Sequence, residues 1–303
     1  MPQRISVRVP ATSANLGCAF DCAAIALRLY LDIHVTPRAD REVTVCYRGV
    51  TPERIPADRT NLIARTIGET LEGWHKPRGF DLEIDNQIPV GVGLGSSAAA
   101  IVGSLAACHW LADTTLFDQE LVSRATRIEG HPDNVAAAWH GGFTVAAAQD
   151  GHVLACSTAV PDTLQFVLVV PDYALPTEKA REVLPAQFSR ADAVHNLQRA
   201  AVLAAQLFSG RSDLSRILFD DRWHQPYRAA LVPGLAEVLA LKHPDLLGVC
   251  LSGAGPSILA FVRGSGAAIS DAIRQTLQKN SIASQSYVLS ADNLGAKGWS
   301  LPA

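Results

Sequence analysis

The stretch GVGLGSSAAA places Gly91, Gly93 and Gly95 directly before Ser96, Ser97 and an alanine-rich run. Glycine lets backbone N–H groups approach an anion because no Cβ stands in the way. The N-terminus of a following helix would add unpaired N–H donors and a partial positive charge. The serines could cap that helix, and a serine hydroxyl can also bind magnesium. A tight turn before a buried helix would use the same residues, so the loop alone leaves both interpretations open.

The common nucleotide-binding motifs do not fit this loop. A Walker A loop has a lysine after its last glycine, where this chain has Ser96. A dinucleotide fingerprint has glycine at the sixth position from Gly91, and that position is again Ser96. The protein-kinase triplets HRD and DFG do not occur in the sequence. These mismatches exclude the common motifs, and phosphate binding itself stays open.

A second polar cluster lies in EGHPDN, where Glu129, His131, Asp133 and Asn134 fall within six positions. Helix capping by Asp133 or Asn134 would account for part of it. Four such groups exceed what one cap requires. Glu129 is a hard oxygen donor that suits magnesium, and Asn134 could hold a phosphoryl group during transfer. The cluster therefore indicates function more strongly than capping.

Three more motifs could contribute to the same site. The turn Ser252–Gly255 in LSGAGPS allows a close backbone approach between two apolar strands, although a structural β-turn would look the same. Arg199 and Arg228 each stand near a histidine and an amide. An arginine binds a carboxylate bidentately, and an aspartate such as Asp21 binds an ammonium. Together these residues could hold an amino acid, whereas a single helical arginine usually faces solvent.

Apolar periodicity predicts an α+β protein. Ile5, Val7 and Val9 alternate with polar residues, which is typical of a half-buried strand. Further strands are predicted at 31–37, 42–47, 80–85, 142–148, 165–171, 247–253, 257–262 and 284–290. Helices are predicted at 61–75, 96–112, 118–129, 191–209, 232–242 and 265–279. Because the helices do not alternate regularly with the strands, α+β is favoured over a doubly wound sheet.

Composition narrows the classes of partner. The chain of 303 residues has a formal net charge of −3 and no basic block, which argues against nucleic acid or an anionic membrane as the main partner. The N-terminal stretch does not resemble a signal peptide, and the most apolar run, 98–112, is too short to span a bilayer. Six cysteines form no zinc pattern. We therefore expect reduced thiols and a cytoplasmic protein.

Taken together, the motifs resemble those of the GHMP small-molecule kinases. PVGVGLGSSAA resembles their ATP-binding motif, residues 8–21 their N-terminal motif, and LSGAGPS their C-terminal glycine motif, in matching order over nearly the whole chain. Within the family, EGHPDNVA, AVHNLQRAA, RWHQPYR and LSGAGPS most resemble the branch that phosphorylates L-homoserine. So many separated motifs in this order make the resemblance specific.

The resemblance implies two domains. Residues 1–155 would form an ATP-binding domain like the second domain of ribosomal protein S5, and residues 156–303 a ferredoxin-like domain. It also implies ATP-dependent phosphorylation of L-homoserine to O-phospho-L-homoserine, a step toward threonine, with ATP and Mg²⁺ as cofactors and a homodimer as the assembly. The alternatives are another GHMP kinase, acting on threonine or mevalonate, and a non-catalytic ligand sensor on the same fold.

The resemblance also assigns residues. Those expected to bind ATP are Asn61, Leu62, Val90, Gly91, Val92, Gly93, Leu94, Gly95, Ser96, Ser97 and Ala98. Those expected to bind homoserine are Asn15, Asp21, His131, Asp133, Arg199 and Arg228. Asn134 and Thr177 would lie near the transferred phosphoryl group, and Ser97 and Glu129 would hold magnesium. The C-terminal glycine motif is Ser252, Gly253, Ala254 and Gly255.

The sequence departs from the family pattern in two places. Cys18 and Ala19 replace the usual Pro-Gly, which alters the stiffness of a loop beside the substrate. Pro176 and Thr177 stand where the family has Ser-Thr, which bears on where Thr177 lies. Neither change removes a charged group. They therefore bear on the choice of substrate more than on the chemistry.

Overall fold

The structure is a computed structural model that describes residues 4–76, 78–114 and 117–301. Its strands are β1 (Arg4–Asn15), β2 (Ala19–Pro37), β3 (Val43–Gly49), β4 (Phe80–Asn86), β5 (Phe143–Gln149), β6 (His152–Thr158), β7 (Gln165–Pro171), β8 (Leu246–Leu251), β9 (Ile258–Val262), β10 (Ser284–Leu289) and β11 (Lys297–Leu301). Its helices are α1 (Leu62–Gly73), α2 (Ser96–Ala112), α3 (Asp118–Glu129), α4 (Asp133–His140), α5 (Thr177–Glu182), α6 (Arg190–Phe208), α7 (Gln225–Arg228), α8 (Leu235–Ala240) and α9 (Ala267–Lys279).

The first sheet has the order β11-β1-β2-β4-β3, and β5 extends it by pairing with β2 and with β6. The strand β2 is 19 residues long, so it pairs with β5 near its start and with β4 near its end. Within the described residues, β3 and β4 form the parallel pair of this sheet, and the other pairs are antiparallel. Helix α2 packs against β1 and β2, where it lies among α1, α3 and α4.

The second sheet is antiparallel, with the order β10-β7-β9-β8. This is the strand order of a ferredoxin-like unit, in which the first strand lies between the fourth and the third. Alternate residues of β7 face two different cores. Val167 and Val169 pack with α8 and α9, whereas Phe166 and Leu168 join the core of the first sheet. The α+β prediction is confirmed.

Between Ala98 and His109, helix α2 is buried on all sides, which its composition explains. Its apolar and small residues are spread around the whole helix rather than along one stripe, as expected for a helix in a protein interior. Its N-terminus opens on the cavity described below. Among the described residues, no helix combines the length and the apolar character that a bilayer crossing requires.

Two strands were not predicted from the sequence. β6 lies at an edge of the first sheet, and most of its side chains are half-buried or exposed. β11 returns from the C-terminal half to pair with β1. The predicted boundary between residues 155 and 156 falls inside β6, all of which pairs with β5. Sheet membership changes instead between Thr158 and Gln165.

Candidate active site

A cavity of about 250 Å³ lies where the end of β1, the N-termini of α2, α4 and α5, and the turn between β8 and β9 meet. Most of the predicted site residues line it. They are Asn15, Asp21, Val90, Gly91, Gly93, Leu94, Gly95, Ser96, Ser97, Glu129, His131, Asp133, Asn134, Thr177, Arg228, Gly253 and Ala254. Residues that lie more than 200 positions apart in the sequence thus form one wall.

The glycine-rich loop is held in a conformation that favours glycine. Gly93 has φ +82°, and a Cβ there would collide with the backbone carbonyl of Ser252. Gly95 has φ +63°, and its Cβ would strike the hydroxyl of Thr12. The Ser252 hydroxyl lies 2.7 Å from the carbonyl oxygen of Gly93 and donates to it. The loop is therefore clamped between β1 and the turn after β8.

The N-terminus of α2 is open toward this cavity. Its N-cap is Gly95, and within the described residues no side chain caps the first turn. The Ser97 hydroxyl, which the sequence allowed as a cap, instead donates to Oε1 of Glu129 at 2.6 Å. Unpaired N–H groups at a helix N-terminus form a ready-made anion site.

Ser97 and Glu129 form the side-chain pair predicted to hold magnesium. Burial raises the pKa of Glu129, while the Ser97 hydrogen bond partly offsets that effect. Among the described residues, no group of three or more His, Cys, Asp and Glu side chains could hold a metal ion. Magnesium at kinase sites usually takes one or two carboxylates and completes its shell with phosphate oxygens and water. One carboxylate and one hydroxyl beside a phosphate loop fit that donor set.

Asn134 stands at the start of α4, and its side chain is fixed by a residue that the sequence analysis missed. The Thr12 hydroxyl donates to Oδ1 of Asn134 at 2.7 Å, and both residues are buried. With the amide oxygen taken, the amide nitrogen is the end that can face the cavity. Thr12 lies 122 positions from Asn134, and nothing near it in the sequence marks this contact.

His131 and Asp133 form a close pair in the cavity wall. Nδ1 of His131 lies 2.7 Å from Oδ1 of Asp133, which also accepts the backbone N–H of Asn134. Burial acts to lower the pKa of His131, but the Asp133 hydrogen bond and the nearby negative charges outweigh it, so the pKa is raised. Asp133 is 2% exposed. Asp133 therefore favours the protonated form of the His131 ring in this wall of the cavity.

Asp21 is bound to an arginine that was not predicted. Arg181 donates from both terminal nitrogens to the two carboxylate oxygens of Asp21, each at 2.8 Å. Arg181 also lines the cavity, one helical turn after Thr177 on α5. Residues four apart on a helix share a face. This spacing from Thr177 was a signal that could have found Arg181.

Arg228 lies in the same cavity wall and is 1% exposed. Its Nε donates to the carbonyl of Ala180 at 2.9 Å, and its Nη1 donates to the carbonyl of Gly253 at 3.1 Å. Burial, and then the positive charge of Arg181, lowers the pKa of Arg228 to about 10. The guanidinium still carries its charge at neutral pH, so the cavity holds a desolvated cation.

Arg199 is not part of this cavity within the described residues, which corrects the prediction for it. Its guanidinium lies 3.8 Å from the Asp220 carboxylate and donates to the backbone carbonyl of His195. It therefore braces α6 against the segment that precedes α7. Arg181 is the arginine that the fold places opposite Asp21.

A second cavity of about 270 Å³ adjoins the first and shares Val90, Ser96 and Ser97 with it. Its lining is mainly apolar, and it includes the predicted residues Asn61 and Leu62. The Asn61 amide is already used, because it caps Ile63 and donates to the carbonyl of Pro56. Asn61 thus fixes the loop before α1, and this loop forms part of the cavity wall.

Several other predicted residues lie behind the cavity surface. Val92 and Ala98 are buried in the core of the first sheet, and Ser252 is buried beneath the turn. Gly255 donates its N–H to the Ser252 carbonyl and closes that turn. Cys18, at the family's usual proline position, donates its thiol to the carbonyl of Asp220. Burial raises the pKa of this thiol, so it is a packed group.

The chain is similar to known proteins over nearly its whole length. The model of the GHMP kinases N terminal domain matches residues 61–142, and that of the GHMP kinases C terminal domain matches residues 199–279. The homoserine kinase of Desulfitobacterium hafniense is 42% identical over 96% of this chain and 99% of its own length. The homoserine kinase of Solibacter usitatus is 41% identical over 95% of each chain.

A solved structure extends the similarity to the fold. The crystal structure of homoserine kinase from Cytophaga hutchinsonii superposes with a TM-score of 0.86 at 29% identity, covering 99% of this chain and 98% of that one. The two family models together match more than half of the chain, and the curated relatives align with nearly all of it. The chain therefore belongs to the homoserine kinases of the GHMP kinase family.

Proposed function

We propose that this chain transfers the γ-phosphoryl group of ATP to the hydroxyl of L-homoserine. The observation that carries the proposal is one cavity that joins an open helix N-terminus to a charged clamp formed by Asp21, Arg181 and Arg228. The first element suits a polyphosphate and the second suits an amino acid. Membership of the homoserine kinases supports the same pair of substrates.

At the amino-acid end, the charges complement a zwitterion. Arg181 and Arg228 would bind the substrate carboxylate, and Asp21 would bind the ammonium group. Asp21 and Arg181 neutralise each other at 2.8 Å, so a bound zwitterion would share each of them without leaving a charge unpaired. Mevalonate has no ammonium group, so Asp21 would have no cationic group of that substrate to bind.

At the phosphate end, the chain supplies fixed donors. The open turn of α2 and the N–H groups of the loop would hold the phosphates, and the apolar second cavity would take the adenine. Magnesium, when bound by Ser97 and Glu129, supplies positive charge that neutralises the phosphates. The Asn134 amide would bind the group in transfer. Phosphoryl transfer of this kind depends mainly on positioning and charge neutralisation.

We assign no general base. His131 and Asp133 are the candidates, but they are bound to each other at 2.7 Å, which holds both side chains in place. In a loose transition state, the substrate proton leaves late and can pass to the phosphate. The residues around the hydroxyl then act by aiming it in line with the phosphate chain.

A coupled ADP-release assay with L-homoserine, L-threonine and mevalonate side by side tests the proposal. We expect kcat/KM to be highest for L-homoserine. A preference for mevalonate would contradict the assigned clamp, and a preference for threonine would move the chain to another substrate. ATP and homoserine binding without turnover would support the ligand-sensor alternative. Omission of magnesium from the same assay tests the metal, and we expect turnover to stop.

We further propose that two copies of the chain associate through α6. Over the four turns from Val194 to Phe208, the exposed residues of this helix are apolar apart from Gln198, and the largest are Val194, Leu197, Val202 and Phe208. The exposed Arg190 lies at the start of the same face. A continuous exposed apolar surface of this kind is typical of an interface. Leu197→Glu should convert a dimer into a monomer in sedimentation velocity, and a monomeric wild type would overturn the proposal. The cytoplasmic location stays a prediction.

A further inference from the structure

The segment before Arg228 is held by buried hydrogen bonds that the proposed reaction does not explain. The carboxylate of Asp221 is fully buried and accepts the Asn196 amide together with the backbone N–H groups of Trp223, His224 and Gln225. The start of α7 is thereby fixed to α6. A buried carboxylate that accepts this many hydrogen bonds holds the segment before Arg228 rigidly.

A further hydrogen bond joins this segment to the second sheet. Oε1 of Gln225 accepts the backbone N–H of Leu251, the last residue of β8. Ser252 and Gly253 follow directly, and they contact the glycine-rich loop. Arg228 lies one helical turn after His224, in the short helix α7 whose start these bonds fix. The remaining freedom of Arg228 is rotation of its long side chain.

His224 limits that rotation. It is fully buried, and its Nδ1 lies 3.1 Å from Nη1 of Arg228. A guanidinium has donors and no acceptor, so Nδ1 must be unprotonated and accept. On the other side of the ring, Nε2 lies 2.8 Å from the carbonyl of Gly17, which only accepts. His224 is therefore neutral, with its proton on Nε2.

The electrostatics agree with this tautomer. Burial lowers the pKa of His224 to about 4, and the charge of Arg228 acts in the same direction, whereas the Asp221 carboxylate 3.6 Å from Nε2 opposes it. A neutral ring can stay beside the buried cation of Arg228. A protonated His224 ring would place a second positive charge beside the Arg228 guanidinium and repel it.

Within the part of the chain that the structure describes, protein groups occupy three of the five N–H donors of Arg228. Nε donates to Ala180, and Nη1 donates to Gly253 and His224. The two N–H groups on Nη2 are left for a ligand in the cavity that Arg228 lines. The orientation of Nη2 thus depends on the three bonds that hold the rest of the group.

We propose that His224 is a positioning residue that fixes the Arg228 guanidinium so that Nη2 meets the substrate carboxylate. The inference rests on the proposed function, because it takes an amino acid as the substrate. His224 itself touches no substrate. Its neutral ring bridges Gly17, in the turn between β1 and β2, and Arg228, and it transmits the position of that turn to the carboxylate-binding group.

A matched pair of variants separates the two sides of the ring. His224→Asn places an amide oxygen near the position of Nδ1 and can keep the acceptor for Arg228. His224→Gln places its amide nitrogen near the position of Nε2 and can keep the bond to Gly17, but it loses the acceptor. Since hydrogen bonds to charged groups are the strong ones, we expect His224→Gln to raise KM for L-homoserine about tenfold or more. His224→Asn should raise it less, and KM for ATP should change less than about twofold in both variants.

Two controls separate positioning from a structural role. A partly unfolded variant has a lower apparent kcat, whereas KM reports only on the folded molecules, so loss of stability alone leaves KM unchanged. In an Arg228→Lys background, His224→Gln should add little to KM, because the group that it positions is gone. The substrate 3-aminopropan-1-ol, which lacks the carboxylate, should lose little activity in His224→Gln.

Three outcomes would overturn the inference: an unchanged KM for L-homoserine in His224→Gln, equal effects of the two His224 variants, or full additivity with Arg228→Lys. They are distinct from failure of the proposed function, in which the wild-type protein would not phosphorylate L-homoserine at all. Isothermal titration of L-homoserine into the wild type and both variants provides the same comparison without turnover.

Discussion

The two ends of the cavity would recognise their proposed ligands by different means. The proposed phosphate end offers backbone N–H groups, a helix N-terminus and glycines at positive φ, all within residues 91–97. The proposed amino-acid end offers the charged side chains of Asp21, Arg181 and Arg228, which are spread over more than 200 positions. Both ends meet at Asn134 and at the turn that contains Gly253.

This difference predicts different sensitivities. Backbone donors do not titrate, and no side-chain substitution removes them, so the phosphate end is vulnerable mainly where a Cβ would collide. The amino-acid end is vulnerable to loss of charge and to a change in pH. A variant that affects only the ligand bound at its own end would support this difference between the two ends. A variant that affects the other ligand would contradict it.

The largest effect is expected at the junction. Asn134→Leu removes the amide that would bind the transferring group, and loss of one such donor costs about 100-fold to 1000-fold in kcat. Thr12→Val removes the hydroxyl that holds the Asn134 oxygen, and it should lower kcat by about tenfold, with Thr12→Ser as the control. Steady-state kinetics measures both. Unchanged kcat with weaker substrate binding would show that the role of Asn134 is wrong.

The next effect tests the phosphate end. Gly93→Ala adds one methyl group that would strike the Ser252 carbonyl and strain φ +82°. Displacement of the loop by about 1 Å should lower kcat by about 100-fold. Gly68→Ala is the control, because its Cβ would meet no atom within 4 Å in α1. Near wild-type kinetics for Gly93→Ala would contradict the clamped loop.

A smaller effect tests the amino-acid end. Arg181→Gln removes a cation that would bind the carboxylate, and it should raise KM for L-homoserine by about 10-fold to 50-fold with little change for ATP. Arg199→Gln is the matched variant outside the cavity, and its KM should stay within about twofold of the wild type. The reverse order of the two arginines in this assay would restore the sequence-based assignment of Arg199.

The smallest effect is a pH dependence of stability. The pKa of His131 in the folded protein lies above its ordinary value, so protonation of His131 favours the folded state. The contribution is fully present below about pH 6.5, the unfolded value, and is lost as the pH rises through the folded-state pKa. His131→Gln should therefore lower Tm by about 1–2 °C more at pH 6 than at pH 8.5. Equal differences at both pH values in a thermal melt would contradict the charged pair with Asp133.

The phosphate end was largely predictable from the sequence because its determinants are local. The glycines, the two serines and the apolar run follow one another, and α2 has the bounds that periodicity predicted, 96–112. The helix α3 likewise matches at 118–129. The pairing of Ser97 and Glu129 as predicted magnesium ligands came from the family resemblance, and the fold adds the direct hydrogen bond between the two side chains.

The amino-acid end was only partly predictable. Whether Arg181 or Arg199 faces Asp21 depends on how α5 and α6 pack 160 or more positions later in the chain, and the spacing of Arg181 from Thr177 is the local signal that favours Arg181. Thr12 was missed because its contact with Asn134 also depends on how distant parts of the chain pack. β6 was missed because its half-exposed residues lack the regular alternation that marks a strand.

The carbonyl of Gly253 accepts both the Asn15 amide at 2.8 Å and the Arg228 guanidinium at 3.1 Å. The neighbouring Ser252 donates to the Gly93 carbonyl in the phosphate loop. Two adjacent residues, Ser252 and Gly253, therefore contact both ends of the cavity. If nucleotide binding tightens the loop, it also draws in the amino-acid pocket, and thermodynamic linkage requires each ligand to raise the affinity for the other by the same factor.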